Sequence, residues 1–148
     1  MKFSAQEQIN APVEDVFAKV ANVDHFESLL INRGDKIIRS PENSFGVGTT
    51  WDARVTMRGK TRKVTMEMIE YTQNECMGFQ GGTTGMDILV IMDTMALTPN
   101  RTRLKLQIEA KPKTLAARLL IQSAKLAKGR LDKRFKDRFS DYAQGLLT

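Results

Sequence analysis

The sequence predicts an α+β fold. A curved antiparallel β-sheet of about six to seven strands wraps around one long C-terminal helix, with two short helices after the first strand. Three observations carry this. Six or so segments in the middle of the chain alternate apolar and polar side chains, the period of a strand with one buried face. Apolar residues from Leu120 to Leu146 recur every three or four positions, a stripe of about seven turns and about 40 Å. One amphipathic strand and a compact helical signal stand ahead of the sheet. A sheet that wraps one long helix tends to leave a hollow between the two, and that hollow is the expected place for function.

Residues 2–9 put Phe3, Ala5, Glu7 and Ile9 on one side and Lys2, Ser4, Gln6 and Gln8 on the other. Glu7 is the polar exception on the apolar side. Pro12 suits a first helical turn, where its missing N–H costs nothing. Glu14 and Asp15 lie in that turn and complement the helix dipole. Val13, Val16, Phe17 and Val20 form the inward stripe. Asn22-Val23-Asp24 breaks this helix, and Asp24 is the expected cap of a second one carrying Phe26, Leu29, Leu30 and Ile31. Gly34 ends it in a left-handed position.

Residues 35–40 read as a short strand, and Pro41 to Gly48 as a loop. Trp51, Ala53, Val55 and Met57 then alternate against Thr50, Asp52, Arg54 and Thr56. Arg58-Gly59-Lys60 makes a hairpin turn. The return strand carries Val64, Met66 and Met68 on one face, and its pattern slips at Ile69 and Tyr71, which predicts a bulge. A weaker strand covers Glu75 to Gly82, followed by the turn Gly81–Gly85. Met86 to Thr98 is apolar on both sides for much of its length, as in a strand buried on both faces. Thr102, Leu104, Leu106, Ile108 and Ala110 alternate cleanly with charged and polar neighbours. From Thr114 the period becomes helical to about Gly145, with Gly129 a weak point.

The 148 residues suffice for one domain, 1–148, with a single core. No linker, internal repeat or low-complexity segment divides them. No apolar run is long enough to span a bilayer, and the first residues lack the apolar core of a secretory signal. The lone cysteine, Cys76, suggests a reducing compartment, so a cytoplasmic protein is expected. The net charge of +6 is uneven. Residues 111–148 hold ten Lys and Arg against three Asp and Glu, whereas residues 1–110 are nearly balanced.

The phrase Ile9-Asn10-Ala11-Pro12-Val13-Glu14-Asp15-Val16-Phe17, followed by Asn22-Val23-Asp24, resembles the SRPBCC superfamily. That group holds the START lipid-transfer domains, the birch-pollen-allergen-like proteins and the polyketide cyclase/dehydrase-like proteins. Gly46-Val47-Gly48-Thr49-Thr50-Trp51 is similar to their glycine-rich entry to the third strand. The resemblance covers essentially the whole chain and implies the helix-grip fold, with a cavity for lipids, sterols, polyketides or other apolar molecules. Its motifs are structural and do not specify function. Many relatives carry Pro-x-Trp after the Asp of the second helix. Here the matching stretch is His25-Phe26-Glu27-Ser28-Leu29, so the packing at the pocket mouth is expected to differ.

The faces expected to line the cavity collect Met57, Met66, Met68, Met86 and Met92, with Trp51, Val55, Leu106, Ile108 and Leu120 completing it. Thioethers are flexible and polarisable, which suits an adaptable apolar site. A methionine-filled core without a cavity would use the same residues. The facing of Met77 and Met95 stays open. Candidate acid/base groups are few. Glu7 lies on an apolar face, where burial would raise its pKa unless a partner such as Arg62 is present. The alternative is a strand end that reaches solvent. His25 is the lone histidine, and without an orienting partner it is more simply a surface residue.

One His and one Cys do not make a zinc site without several carboxylates. No nucleophile elbow, P-loop or dinucleotide fingerprint is present. No metal or cofactor is expected, and Cys76 has no activating base.

The leading expectation is therefore binding or transport of a small apolar or amphipathic molecule, such as a lipid, quinone or polyketide-like compound. An alternative is a cyclase/aromatase-type enzyme that folds its substrate in the same cavity. A third reading uses the basic residues Lys125, Lys128, Arg130, Lys133, Arg134, Lys136 and Arg138 to dock on an anionic membrane, RNA, a ribosome or another acidic partner. A solvated outer helix face explains them equally well. DNA is not an expected partner, and few aromatics are available for stacking on bases.

Overall fold

The computed structural model describes residues 1–57 and 59–147, with the side chain of Met57 outside that description. β1 (Lys2–Ile9) leads through Ala11-Pro12 into α1 (Val13–Val20) and α2 (Val23–Asn32). The sheet continues with β2 (Lys36–Ser40), β3 (Thr50–Met57), β4 (Lys60–Thr72), β5 (Cys76–Thr83), β6 (Met86–Thr98) and β7 (Arg101–Pro112). The chain closes with α3 (Leu115–Leu126) and α4 (Lys128–Gly145). The seven strands form one antiparallel sheet in the order β1-β7-β6-β5-β4-β3-β2. This is the expected α+β helix-grip arrangement. Strands β2 to β7 form a meander, and β1 closes it by pairing with β7.

The period-two patterns set the register. Phe3, Ala5, Glu7 and Ile9 stand opposite Ile108, Leu106, Leu104 and Thr102. Those residues in turn face Val90, Met92, Thr94 and Ala96 of β6. One apolar row therefore crosses from strand to strand, because a shift of one residue would turn it to solvent. The slip in β4 is a register shift between Met68 and Glu70. Arg58 of the expected hairpin turn lies outside the described residues. Its neighbour Gly59 has φ +76°, a left-handed value suited to glycine.

Glycine is also required within β5. A Cβ on Gly81 would run into the Thr65 carbonyl oxygen, and one on Gly82 into the Met86 carbonyl oxygen. These two residues let the backbones of β4, β5 and β6 come very close where the sheet bends.

Three expectations need correction. The cap of α2 is Asn22, not Asp24: Asn22 Oδ1 accepts the backbone N–H of His25 at 3.2 Å, and Asp24 falls inside the first turn. The C-terminal helical stretch is interrupted at Ala127, where φ −109° and ψ 19° leave the helical region. The Ala127 N–H there reaches back only to Ala124. Gly129, two residues on, weakens the helix there by about 1 kcal/mol relative to alanine. The strand β6 is not buried on both faces. Its inner residues face the helices, but on the outer face Met95 and Leu97 are exposed. Leu89 and Ile91 are half-buried there, in a groove of about 250 Å³ that Lys2, Ser4 and Gln107 help to line.

The packed core lies at one end of the inner face. Val16, Phe17 and Val20 of α1 meet Trp51, Met68, Met77, Met92 and Leu104 of the sheet, with Phe139 and Ala143 of α4 above them. Val16, Met68 and Leu104 lose all exposure to solvent. Thr102 is also fully buried, and its hydroxyl donates to the Ala11 carbonyl at 2.8 Å, so its polar group is satisfied. Edge-to-face rings line one flank: Phe17 with Tyr71, Phe45 with Tyr71 and Trp51, and Trp51 with Phe79.

Candidate ligand site

The inner face divides into two halves. At the end just described, methionines fill a closed core. Toward the β5–β6 turn, Val55, Val64, Met66, Met86, Ile88, Val90 and Ile108 point to the same side as the core by strand register, yet they are only half-buried and stand outside the packed cluster. Apolar side chains under a helix stay partly accessible only if the helix does not fill the space over them. The helix at that end is α3, which lies against β7. Its N-terminus is fixed at the turn. The Lys113 N–H donates to the Gly85 carbonyl at 2.7 Å, and the Thr114 hydroxyl caps the helix through the Ala117 N–H at 3.1 Å. The buried members of α3 are Ala117 and Ile121. The side chains that α3 buries are therefore few, and the inner-face residues at this end keep partial exposure.

The expected lining residues therefore separate. Trp51, Met68 and Met92 are buried in the packed core, and Leu106 packs against it. Val55, Met66, Met86 and Ile108 belong to the open half. Met77, whose facing was open, is buried opposite Met92, while Met95 is exposed on the outer face and accepts from Arg103 Nη2. Leu120 is corrected: it is 49% exposed, and the interior contacts of α3 belong to Ala117 and Ile121 instead. The side chain of Met57 lies outside the described residues.

The candidate acid/base groups do not assemble. Glu7 is half-buried on β1 opposite Leu104, at the closed end. Arg62 is half-buried on β4 opposite Val55, toward the other end. Three strands stand between β1 and β4, so Arg62 is not the partner of Glu7. His25 is exposed in the first turn of α2. Cys76 is half-buried, and its thiol is pushed up from 9.0 to about 12, first by burial and then by the adjacent Asp93 and Glu70 carboxylates. A thiol held neutral in this way is a poor nucleophile. Among the described residues no three His, Cys, Asp or Glu side chains gather into a metal-holding group.

One polar cluster escaped sequence reasoning. Arg39 on β2 stands opposite Trp51 on β3, and both meet Glu27 of α2. The Trp51 Nε1–H donates to Glu27 Oε1 at 3.1 Å, and Arg39 Nε lies 3.1 Å from the same oxygen. Arg39 Nη2 also donates to Asp24 Oδ1 at 2.7 Å. The Arg39 and Glu27 side chains are only 12% and 16% exposed. The cluster ties α2 to the sheet beside the closed core, and each charge is already matched. The sequence holds one signal for it: Arg39 shares the strand face of Ile37.

The convex side of β4 to β6 bears a separate open groove of about 690 Å³, lined by Thr65, Glu67, Gln80, Gly82 and Asp87. Its lining is polar, and Lys113 closes one side through an ion pair with Asp87 at 2.9 Å. It lies on the face opposite the core.

Residues 1–141 match the family described as "Polyketide cyclase / dehydrase and lipid transport". The chain belongs to that family. The fold recurs in solved structures of low sequence identity. TTHA0849 from Thermus thermophilus has a TM-score of 0.70 at 14% identity, over 99% of this chain and 97% of that one. Norcoclaurine synthase from Thalictrum flavum, in complex with dopamine and hydroxybenzaldehyde, has a TM-score of 0.67 at 13% identity, over 84% and 76%. The Zhui aromatase/cyclase from a Streptomyces species has a TM-score of 0.61 at 13% identity, over 77% and 69%. No curated protein matches the sequence significantly. Among the described residues no helix is long and apolar enough to cross a membrane.

Proposed function

We propose that this family member binds and carries a small apolar or amphipathic molecule in the hollow between α3 and the open half of the sheet. The observation that carries the reading is the set of half-buried apolar residues on the inner face, Val64, Met66, Val90 and Ile108 among them, beneath a helix whose buried residues are Ala117 and Ile121. Such a surface favours a guest by removing apolar area from water, and Arg62, on the same face opposite Val55, is placed to meet the polar end of an amphipathic one. A lipid, quinone or polyketide-like compound fits this chemistry, and a reducing cytoplasmic setting fits the single thiol. The cyclase/aromatase alternative would have to act through Glu7 or Arg62 singly, since the two stand apart, and the carrier reading needs neither.

Native mass spectrometry of the purified protein, with extraction of anything bound, is the first test, and a co-purifying apolar molecule is expected. Val90→Trp is the second. An open hollow accepts the indole with little loss of stability and then excludes the guest. A filled core instead loses about 1–3 kcal/mol to overpacking. That loss, together with no uptake of fatty acids, quinones or aromatic polyketides, would overturn the reading.

A further inference from the structure

The outer side of α3 carries a feature that ligand binding in the hollow does not use. Leu115, Leu119 and Leu126 are 73%, 56% and 92% exposed. Their spacing of four and seven places them within about 40° of one another around the helix, opposite the buried Ala117 and Ile121. Exposed leucines scattered singly are ordinary, but three on one stripe of one helix are not. Arg118 and Lys125 flank the stripe on one shoulder and are exposed. From Lys111 to Leu131 the chain holds six Lys or Arg and no Asp or Glu; Lys111, Lys113 and Lys128 pair with Glu109, Asp87 and Asp132, which leaves Arg118, Lys125 and Arg130 to set the local charge. The surrounding charge therefore favours an anionic partner, and the apolar stripe favours one with a hydrocarbon interior.

We propose that α3 is a docking helix for an anionic lipid bilayer. Leu115, Leu119 and Leu126 enter the boundary between headgroups and acyl chains, while Arg118 and Lys125 meet lipid phosphates, as interfacial amphipathic helices do. The charge that matters lies on and around α3. The denser run of Lys133, Arg134, Lys136 and Arg138 sits on α4, a helix committed to packing on β1. The break at Ala127 separates the two helices, so α3 can meet a membrane without lifting α4 from the core. Docking does not require the hollow to be occupied.

The test is co-sedimentation of the full chain with vesicles of phosphatidylcholine alone and with phosphatidylglycerol added. Binding is expected only to the anionic vesicles and is expected to weaken as salt rises. Leu119→Ser and Leu126→Ser should each weaken it about tenfold, and Arg118→Gln or Lys125→Gln about fivefold. All four positions are exposed, so the melting temperature should hold. Val90→Trp should leave vesicle binding unchanged, which keeps failure of this proposal distinct from failure of the carrier reading. Absence of binding to anionic vesicles overturns the proposal. So does binding that ignores the leucine variants but is lost in Lys133→Gln/Lys136→Gln. Sedimentation velocity supplies the last outcome: a dimer dissolved by Leu119→Ser would assign the stripe to a second copy of the chain instead.

Discussion

The helices α3 and α4 follow one another with a single residue between them and cover the same sheet, yet they solve opposite problems. On α4, Phe139 and Ala143 are buried and Phe135, Tyr142 and Leu146 pack beside them, so large side chains fill the space over the closed half. On α3 the large side chains turn outward and Ala117 and Ile121 face in. The same family of apolar residues thus makes a solid core at one end and a half-exposed face at the other. What differs is only which side of the helix holds the volume. Stability resides in the closed half, and the proposed ligand and membrane contacts belong to the other.

The strongest way to break this contrast is to cut matched side chains on one strand. Leu104 and Ile108 lie four residues apart on the same face of β7, with Leu104 fully buried and Ile108 half-buried. Leu104→Ala should cost about 3–4 kcal/mol in urea unfolding, because the lost transfer energy is joined by a cavity in packed surroundings. Ile108→Ala should cost about 1 kcal/mol, since the side chain is already half-exposed. Equal losses would mean that both ends are filled.

A second test concerns the tie between α2 and the closed half. Trp51→Phe keeps most of the buried ring but removes the donor to Glu27, and it should cost about 2 kcal/mol. In the Glu27→Gln background the same change should cost less, because the acceptor is no longer charged. Full additivity in that double-mutant cycle would show that the indole only packs.

The legible and illegible parts of this molecule follow the range of the physics. Alternation in β7 and the slip at Ile69 are local, and they gave the correct facing and the bulge because strand facing has a strict period of two. The facing of α3 was not legible. Leu115, Leu119, Leu120, Ile121 and Leu126 surround the helix, so a stripe through Leu120, Ala124 and Ala127 reads as well as the one actually buried through Ala117 and Ile121. The interruption at Ala127 left the apolar period running across it, with Gly129 as the single hint. The cluster of Glu27, Arg39 and Trp51 joins three elements and could not be read from spacing. Outer-face apolarity on β6 was read as burial because periodicity does not reveal whether a second layer exists.

The junction itself offers a smaller effect. A Cβ on Gly129 would meet nothing within 4 Å, and the residue is helical. Gly129→Ala should therefore stabilise the protein by about 1 kcal/mol, through lower chain entropy in the unfolded state and better helix propensity. Urea unfolding measures it. No gain would mean that the break at Ala127 is imposed by packing of the two helices rather than by the glycine.

A last test lies at alkaline pH and asks how well α4 seals its half. Burial pushes the Tyr142 phenol from 10.0 up to about 12, where the ring packs beside Phe26 and Phe139. Cys76 is also pushed up to about 12. Both folded values exceed the unfolded ones, so the folded state holds these protons more tightly. Their stabilisation is complete below about pH 9 and is lost as pH rises toward 12, because the unfolded chain ionises first. The melting temperature should fall between pH 9 and 11, and less steeply in Tyr142→Phe than in the parent. Cys76→Ser should flatten the curve separately, since that thiol sits on β5 rather than under α4. At pH 8 the folded thiol should resist iodoacetamide, whereas the urea-unfolded chain reacts. An alkaline slope unchanged by Tyr142→Phe would mean that water already reaches the phenol, so that α4 covers its half of the sheet no more tightly than α3 does.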